Sequence, residues 1–223
     1  MLNLPNALTC ANLFSGCIGI VFCFNGDLKS AAYFVILSGI FDFFDGMAAR
    51  ALKITNGIGK ELDSLADAVS FGFLPGAIMF HLFKASDAPN AYLPYLGFVI
   101  TLFSALRLAK FNTDTRQTVD FIGLNTPMNT LFIVSLPYVA DYHPQILGNW
   151  FVLAAITALS SFLLVSEIRI FSLKFSSLKW SENKIKFVFM ILSLALFAWQ
   201  QFVALPVILI LYIGFSFAYF RKK

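Results

Sequence analysis

The chain has 223 residues, 59% hydrophobic and only 13% charged, with 27 Phe and a mean hydropathy of +0.79. A water-soluble domain devotes about a quarter of its residues to charge, so this composition excludes one: the polar side chains are too few to cover a water-facing surface. The net charge of +4 says little as an average, because the charges are unevenly placed.

A bilayer core of about 30 Å needs about 20 helical residues, and lipid leaves no backbone group unpaired. The expected architecture is an all-α polytopic helix bundle, one integral-membrane domain over residues 1–223. Apolar runs predict eight spans, at about 8–25, 30–49, 60–83, 91–111, 126–141, 146–168, 184–201 and 203–220. The turn-forming stretches NGDLKS, KASDAPN and DYHPQ separate several of them. Only Gln200, Gln201 and Pro206 interrupt the last pair, so a single broken helix is the alternative there.

The first run opens with MLNLPNALT, which lacks a basic leader, so this span is expected to be retained. It carries Cys10, Cys17 and Cys23 in a spacing that fits no zinc or haem pattern, and they read as small packing residues. His81 and His143 fall on the sparsely charged side and are not expected to be catalytic. Trp150, Trp180 and Trp199, with Tyr95 and Tyr142, read as interfacial anchors.

Lys and Arg positions test the span count. With eight spans, fourteen of the sixteen fall on one side and only Lys29 and Lys84 on the other. That asymmetry places the basic side, and with it both termini, in the cytoplasm.

Against this background four aspartates stand out. Asp42 and Asp45 lie three apart near the cytoplasmic end of the second span; Asp63 and Asp67 lie four apart at the start of the third. At about 100° per residue each pair shares a helix face, together with Gly46 and Ala49 on one helix and Gly59 on the other. The short connection makes the helices antiparallel neighbours, so both faces can line one cleft. An ionised Asp inside a membrane helix costs about 2.5–3.5 kcal/mol on insertion scales, and four together repel one another. Cations between them would relieve both costs. Oxygen ligands without His or Cys suit a hard ion such as Mg2+, Mn2+ or Ca2+, and two divalent ions would balance four carboxylates.

The pattern Asp42-x2-Asp45-Gly46-x2-Ala49-Arg50-x8-Gly59-x3-Asp63-x3-Asp67 resembles the signature of the CDP-alcohol phosphatidyltransferases. The resemblance implies a two-metal site with Asp42, Asp45 and Asp63 as ligands, and Asp67 as shared ligand and base. It also implies that Asn6, Thr9, Asp42, Gly46, Ala49, Arg50, Lys53, Thr55 and Gly59 hold the CDP-diacylglycerol donor. A homodimer in a bacterial inner membrane follows from the same likeness.

Further stretches resemble the integral-membrane phosphatidylserine synthases within that family: LPNALTCAN, which in them is an amphipathic entry to the first helix, GKELDSLADAVSFGFLP, RLAKFN, FIGLNTP and SEIRIFSLKF. In FIGLNTP, Asn125 stands where the family pattern usually has Pro. The likeness runs from residue 4 to about 175 and leaves about 184–220 as two accessory helices. L-Serine would be the acceptor and CMP the product. A zwitterion needs a cation for its carboxylate, and Arg107, Lys110, Asn112, Arg116, Arg169 and Lys174 are the candidates. On charge alone they would serve equally for lipid phosphate, glycerol 3-phosphate or inositol phosphate. A divalent-cation transporter is the rival of a different class, because acids within membrane helices often mark ion pathways.

Overall fold

The computed structural model describes residues 3–54, 57–117, 120–173 and 179–221. Helix α1 (Leu4–Phe24) starts at Asn3, whose side chain accepts the Asn6 N–H at 2.9 Å, with Pro5 in the first turn. The stretch LPNALTCAN therefore forms the opening turns of one continuous helix. A tight turn containing Gly26 leads into α2 (Leu28–Ala51), which packs back along α1.

Helix α2 ends in a Schellman motif. The Ile54 N–H bonds to Ala49 O at 3.0 Å and the Lys53 N–H to Arg50 O at 3.3 Å. Lys53 occupies the left-handed position, at φ 51°, where glycine is the usual residue. Lys53→Gly is thus expected to raise thermal stability in detergent by about 1 kcal/mol. Lys53→Ala, which keeps the strain and loses only the charge, should not; equal melting temperatures for the two variants would show that the strain is relieved elsewhere.

The third rod runs from Gly57 to Ala85 as α3 (Gly57–Asp67), a π-helical turn (Ala68–Phe73) and α4 (Leu74–Ala85). The π turn has a chemical cause in Pro75, which has no N–H for the carbonyl of Phe71 four residues earlier. Thr130 Oγ1 donates to that carbonyl at 2.7 Å, and Thr101 Oγ1 to Gly72 O at 3.0 Å. Two neighbouring helices thereby satisfy the loosened turn directly after Asp67.

A 3-10 turn (Leu93–Phe98) leads into α5 (Val99–Thr113), followed by α6 (Thr126–Tyr142), short α7 (Pro144–Leu147) and α8 (Trp150–Val165). Two-residue strands β1 (Phe121–Ile122) and β2 (Arg169–Ile170) pair antiparallel, joining the loops after α5 and α8. Gly123 makes that junction possible: its φ is +78°, and a Cβ there would lie 2.6 Å from Leu164 O.

The chain closes with α9 (Trp180–Gln200), a 3-10 turn (Gln201–Ala204) and α10 (Leu205–Arg221). Phe189 meets both Tyr212 and Phe215, which one straight helix could not achieve, so the final pair forms a hairpin broken at Gln201.

Among the described residues these make eight rods around a shared interior. Five segments are long and apolar enough to cross a membrane, the last being Asn183–Arg221 with its break; α6 and α8, at 17 and 16 residues, are shorter. The interior encloses polar side chains alongside an apolar core that includes Leu74, Ile78 and Phe83. Ser38, Ser70, Ser104, Asn129 and Thr130 are fully enclosed, while Phe14, Leu102, Phe151 and Ile210 are more than 60% exposed. Large apolar side chains ring the bundle where lipid would meet them.

The two ends of the bundle carry different groups. One end holds the Lys29–Asp141 ion pair and the Asp87 carboxylate that accepts the Trp150 N–H. The other gathers the start of α1, the four aspartates, the β1–β2 ladder and Phe220 of α10.

Candidate active site and metal centre

Helices α1, α2 and α3 build the acidic centre. Carboxylate oxygens of Asp42, Asp63 and Asp67 all lie within 4.8 Å of one another. Asp45, the fourth expected ligand, falls outside that group; it is buried, lines the same cavity as Asp63, and its Oδ2 accepts the Thr9 hydroxyl at 2.6 Å. Asp67 is 9% exposed and its Oδ1 accepts Asn12 Nδ2 at 3.1 Å. The short α2–α3 connection predicts that these helices are direct neighbours; instead α1 packs against both of them, and the carboxylates of Asp42, Asp63 and Asp67 meet across that three-helix junction.

Gly16, one turn beyond Asn12, lets α1 press against the π turn: a Cβ there would lie 2.4 Å from Ser70 Oγ. Ser38 Oγ and Ser70 Oγ both donate to Asn12 O at 3.1 Å, so one carbonyl ties α1 to α2 and to the third rod.

The donor set fits a hard divalent cation. It is all oxygen, and Asp63 Oδ1 is buried with no hydrogen-bond partner, an arrangement that is costly without a positive partner.

A cavity of about 520 Å³ opens beside these acids, within the range of small-ligand sites. Asn6, Thr9, Asp45, Gly46, Ala49, Gly59 and Asp63 line it, so much of the predicted donor set converges on one space. Arg50 folds back over Gly46, its Nη1 3.3 Å from where a Cβ would sit, which gives that glycine a local use besides admitting a ligand. Lys53 is exposed at the end of α2, and Thr55 lies outside the described residues. Lys60 and Pro5 also line the cavity and were not singled out from sequence; Lys60 precedes Asp63 by three residues, a same-face spacing that would have found it.

The predicted acceptor cations separate. Arg107 alone lies in the interior near the acids, 5% exposed and within the field of the Asp67 carboxylate. Its guanidinium carbon is 4.8 Å from the Phe111 ring centroid and 5.7 Å from that of Phe121. Its Nη2 is buried without a hydrogen-bond partner, and among the described residues it forms no ion pair.

Lys110 bonds Glu167 at 2.6 Å, while Arg116 bonds Asp114 at 2.8 Å and reaches Glu167 at 3.5 Å. These contacts hold the Glu167 and Asp114 carboxyls below the usual carboxylate range, Lys110 acting on the first and Arg116 on the second. Because both folded values are depressed, the stabilisation is complete at neutral pH and is lost only on acidification through those lowered values.

Asn112 Nδ2 donates to Ser64 Oγ at 2.7 Å and its carbonyl accepts from Lys60 Nζ at 3.0 Å, which joins α5 to α3. Arg169 is exposed on a second cavity of about 480 Å³, lined also by Arg116, Asp120, Phe121, Glu167 and Phe220. Lys174 lies outside the described residues.

This site can be compared with known proteins. The family model described as CDP-alcohol phosphatidyltransferase matches residues 2–159. The chain belongs to the CDP-alcohol phosphatidyltransferase family. It is 32% identical over 170 residues to a CDP-diacylglycerol–serine O-phosphatidyltransferase of Bacillus subtilis, covering 74% of this chain and 88% of that one. It is 31% identical over 193 residues to the enzyme of the same name from Helicobacter pylori strain 26695, covering 85% and 80%. An archaetidylserine synthase of Methanothermobacter thermautotrophicus is 31% identical over 159 residues, covering 70% and 66%. As a member of this family the chain is an integral-membrane transferase, and its acidic cluster stands within the matched segment.

Proposed function

We propose that the protein is a phosphatidylserine synthase that transfers the phosphatidyl group of CDP-diacylglycerol to the hydroxyl of L-serine, releasing CMP. The observation that carries the reading is the convergence of Asp42, Asp63 and Asp67 beside a cavity that also takes in Asp45, Gly46 and Gly59. The choice of acceptor is supported by the relatives' names, which differ in the lipid part yet share serine.

Asp42, Asp45, Asp63 and Asp67 would hold two divalent ions, Mg2+ or Mn2+ (Ca2+ fits the same donors), which supply charge neutralisation for the donor diphosphate. The residues of the chain do the rest. Asn6, Thr9, Gly46, Ala49 and Gly59 border the space for the nucleotide end of the donor, and Arg50, Lys53 and Thr55 complete the donor-binding set. Asp67 takes the serine hydroxyl proton as that oxygen attacks the donor's β-phosphorus in line, and the bond to CMP breaks. Arg107 grips the serine carboxylate. Lys110, Arg116 and Glu167 brace the loop above it, with Asn112 and Arg169 at its margins, and Lys174 completes the acceptor-binding set.

The whole chain forms one catalytic domain, its core at about residues 4–175 and its accessory helices at about 184–220. Both termini and the site face the cytoplasm of a bacterial inner membrane, consistent with the basic end of the bundle, and the working form is a homodimer. Purified protein with CDP-diacylglycerol and Mn2+ should release CMP with serine and at least about tenfold less with glycerol 3-phosphate or inositol phosphate, the order of one charge-assisted contact. CMP release that ignores serine would remove the assignment.

A further inference from the structure

We propose that Thr9 and Asn12 of α1 are positioning residues of the metal centre, each fixing which oxygen of a ligand carboxylate is free to face the ion. This rests on the divalent-metal reading of the acids. It gives α1, which contributes no acid, a defined part in the chemistry.

Thr9 and Asn12 lie three apart on α1, so both point to the same side of the helix. Thr9 is 3% exposed and Asn12 is fully buried. Each donates to a different acid: Thr9 Oγ1 to Asp45 Oδ2 at 2.6 Å and Asn12 Nδ2 to Asp67 Oδ1 at 3.1 Å. The Thr9 hydroxyl also lies 3.1 Å from Pro5 O, the ordinary within-helix partner for a buried threonine. It has one hydrogen, and the shorter contact to a charged acceptor is the stronger. Thr9 therefore serves Asp45, while its flank borders the donor cavity.

Asn12 is held at its backbone carbonyl and at its side-chain nitrogen. Its backbone carbonyl accepts hydrogen bonds from Ser38 and Ser70, which fixes the helix, and its side-chain nitrogen donates to the Asp67 carboxylate. Its Oδ1 has no partner, so the Asp67 carboxylate alone sets the direction of the amide. A donor on one carboxylate oxygen occupies that oxygen and orients the other. Groups placed behind metal ligands in this way typically tune affinity by 10- to 100-fold. The remaining oxygens, Asp45 Oδ1 and Asp67 Oδ2, are then the ones turned to the ions.

The test is Mn2+ binding to the full-length protein in detergent, read by electron paramagnetic resonance without substrate. Thr9→Ala and Asn12→Ala should each weaken Mn2+ binding about 10- to 100-fold, and Thr9→Ser should restore the wild-type affinity. Asn12→Ala keeps the carbonyl that Ser38 and Ser70 hold, so α1 stays anchored; melting temperature monitors this. In an Asp67→Asn background, Asn12→Ala should bring no further loss, because its effect passes through that carboxylate. Unchanged affinity in both single variants would overturn the proposal, as would an additive loss in the double variant. Wild-type protein that binds no Mn2+ would instead bring down the metal reading beneath it, so the two failures are distinct.

Discussion

Asp67→Asn is expected to lower CMP release from CDP-diacylglycerol and serine by about 100- to 10,000-fold at saturating Mn2+, with donor binding retained. The substitution is nearly isosteric. An asparagine there still offers an oxygen to Asn12 Nδ2, so the link from α1 to the third rod survives. What it cannot do is accept a proton from an attacking hydroxyl. Asp67 also shares its cluster with Asp42 and Asp63, so the variant will bind metal more weakly as well. The two roles separate on titration. A loss confined to metal affinity disappears when Mn2+ is raised, whereas a loss of proton acceptance persists at saturation. Asp42→Asn, which removes a ligand and no base, should recover in part at high Mn2+. Near-normal turnover of Asp67→Asn at saturating metal would show that another group takes the proton.

The acidic centre was legible in the sequence because its geometry is local. Spacings of three and four residues fix a helix face, and a short connection keeps the ends of α2 and α3 at the same end of the bundle, although it is α1 that packs against both. Those facts allowed the four aspartates to face one cleft, and in the structure Asp42, Asp63 and Asp67 do come together. The terminal hairpin was harder. Gln200, Gln201 and Pro206 marked the break without deciding it, and the deciding contact is Phe189 against Tyr212.

The cations were less legible, because their partners come from distant segments. Lys110 and Arg116 look like ligands for an anion when read along the chain. Their anion is Glu167, 57 residues beyond Lys110, brought near where β1 meets β2. Nothing periodic announces a two-residue strand. The π turn was hidden for a related reason. Pro75 frees a carbonyl, but only Thr130, on another helix, shows how the loose turn is held beside Asp67. Asn12 lies within LPNALTCAN without standing out there, since a lone asparagine in an apolar helix declares no partner. Its three-residue spacing from Thr9 was the available signal.

Arg107→Lys is expected to raise the KM for serine by about 10- to 100-fold while the donor KM stays within about twofold, on the scale of one hydrogen bond to a charged group. A guanidinium at 5% exposure with an unpaired Nη2 is costly to keep unless an anion completes it. It lies over the rings of Phe111 and Phe121, which hold the cation in place from the protein side. Lysine carries the same charge but lacks the planar fork, and it cannot match two carboxylate oxygens at once. Arg116→Lys provides the contrast. Arg116 is exposed and already paired with Asp114 and Glu167, so its conservative replacement should shift the serine KM less than about twofold, as for a surface ion pair. Equal shifts in the serine and donor KM of Arg107→Lys would mean that this buried cation faces the phosphates, and the acceptor's carboxylate would then have to be sought at Arg169.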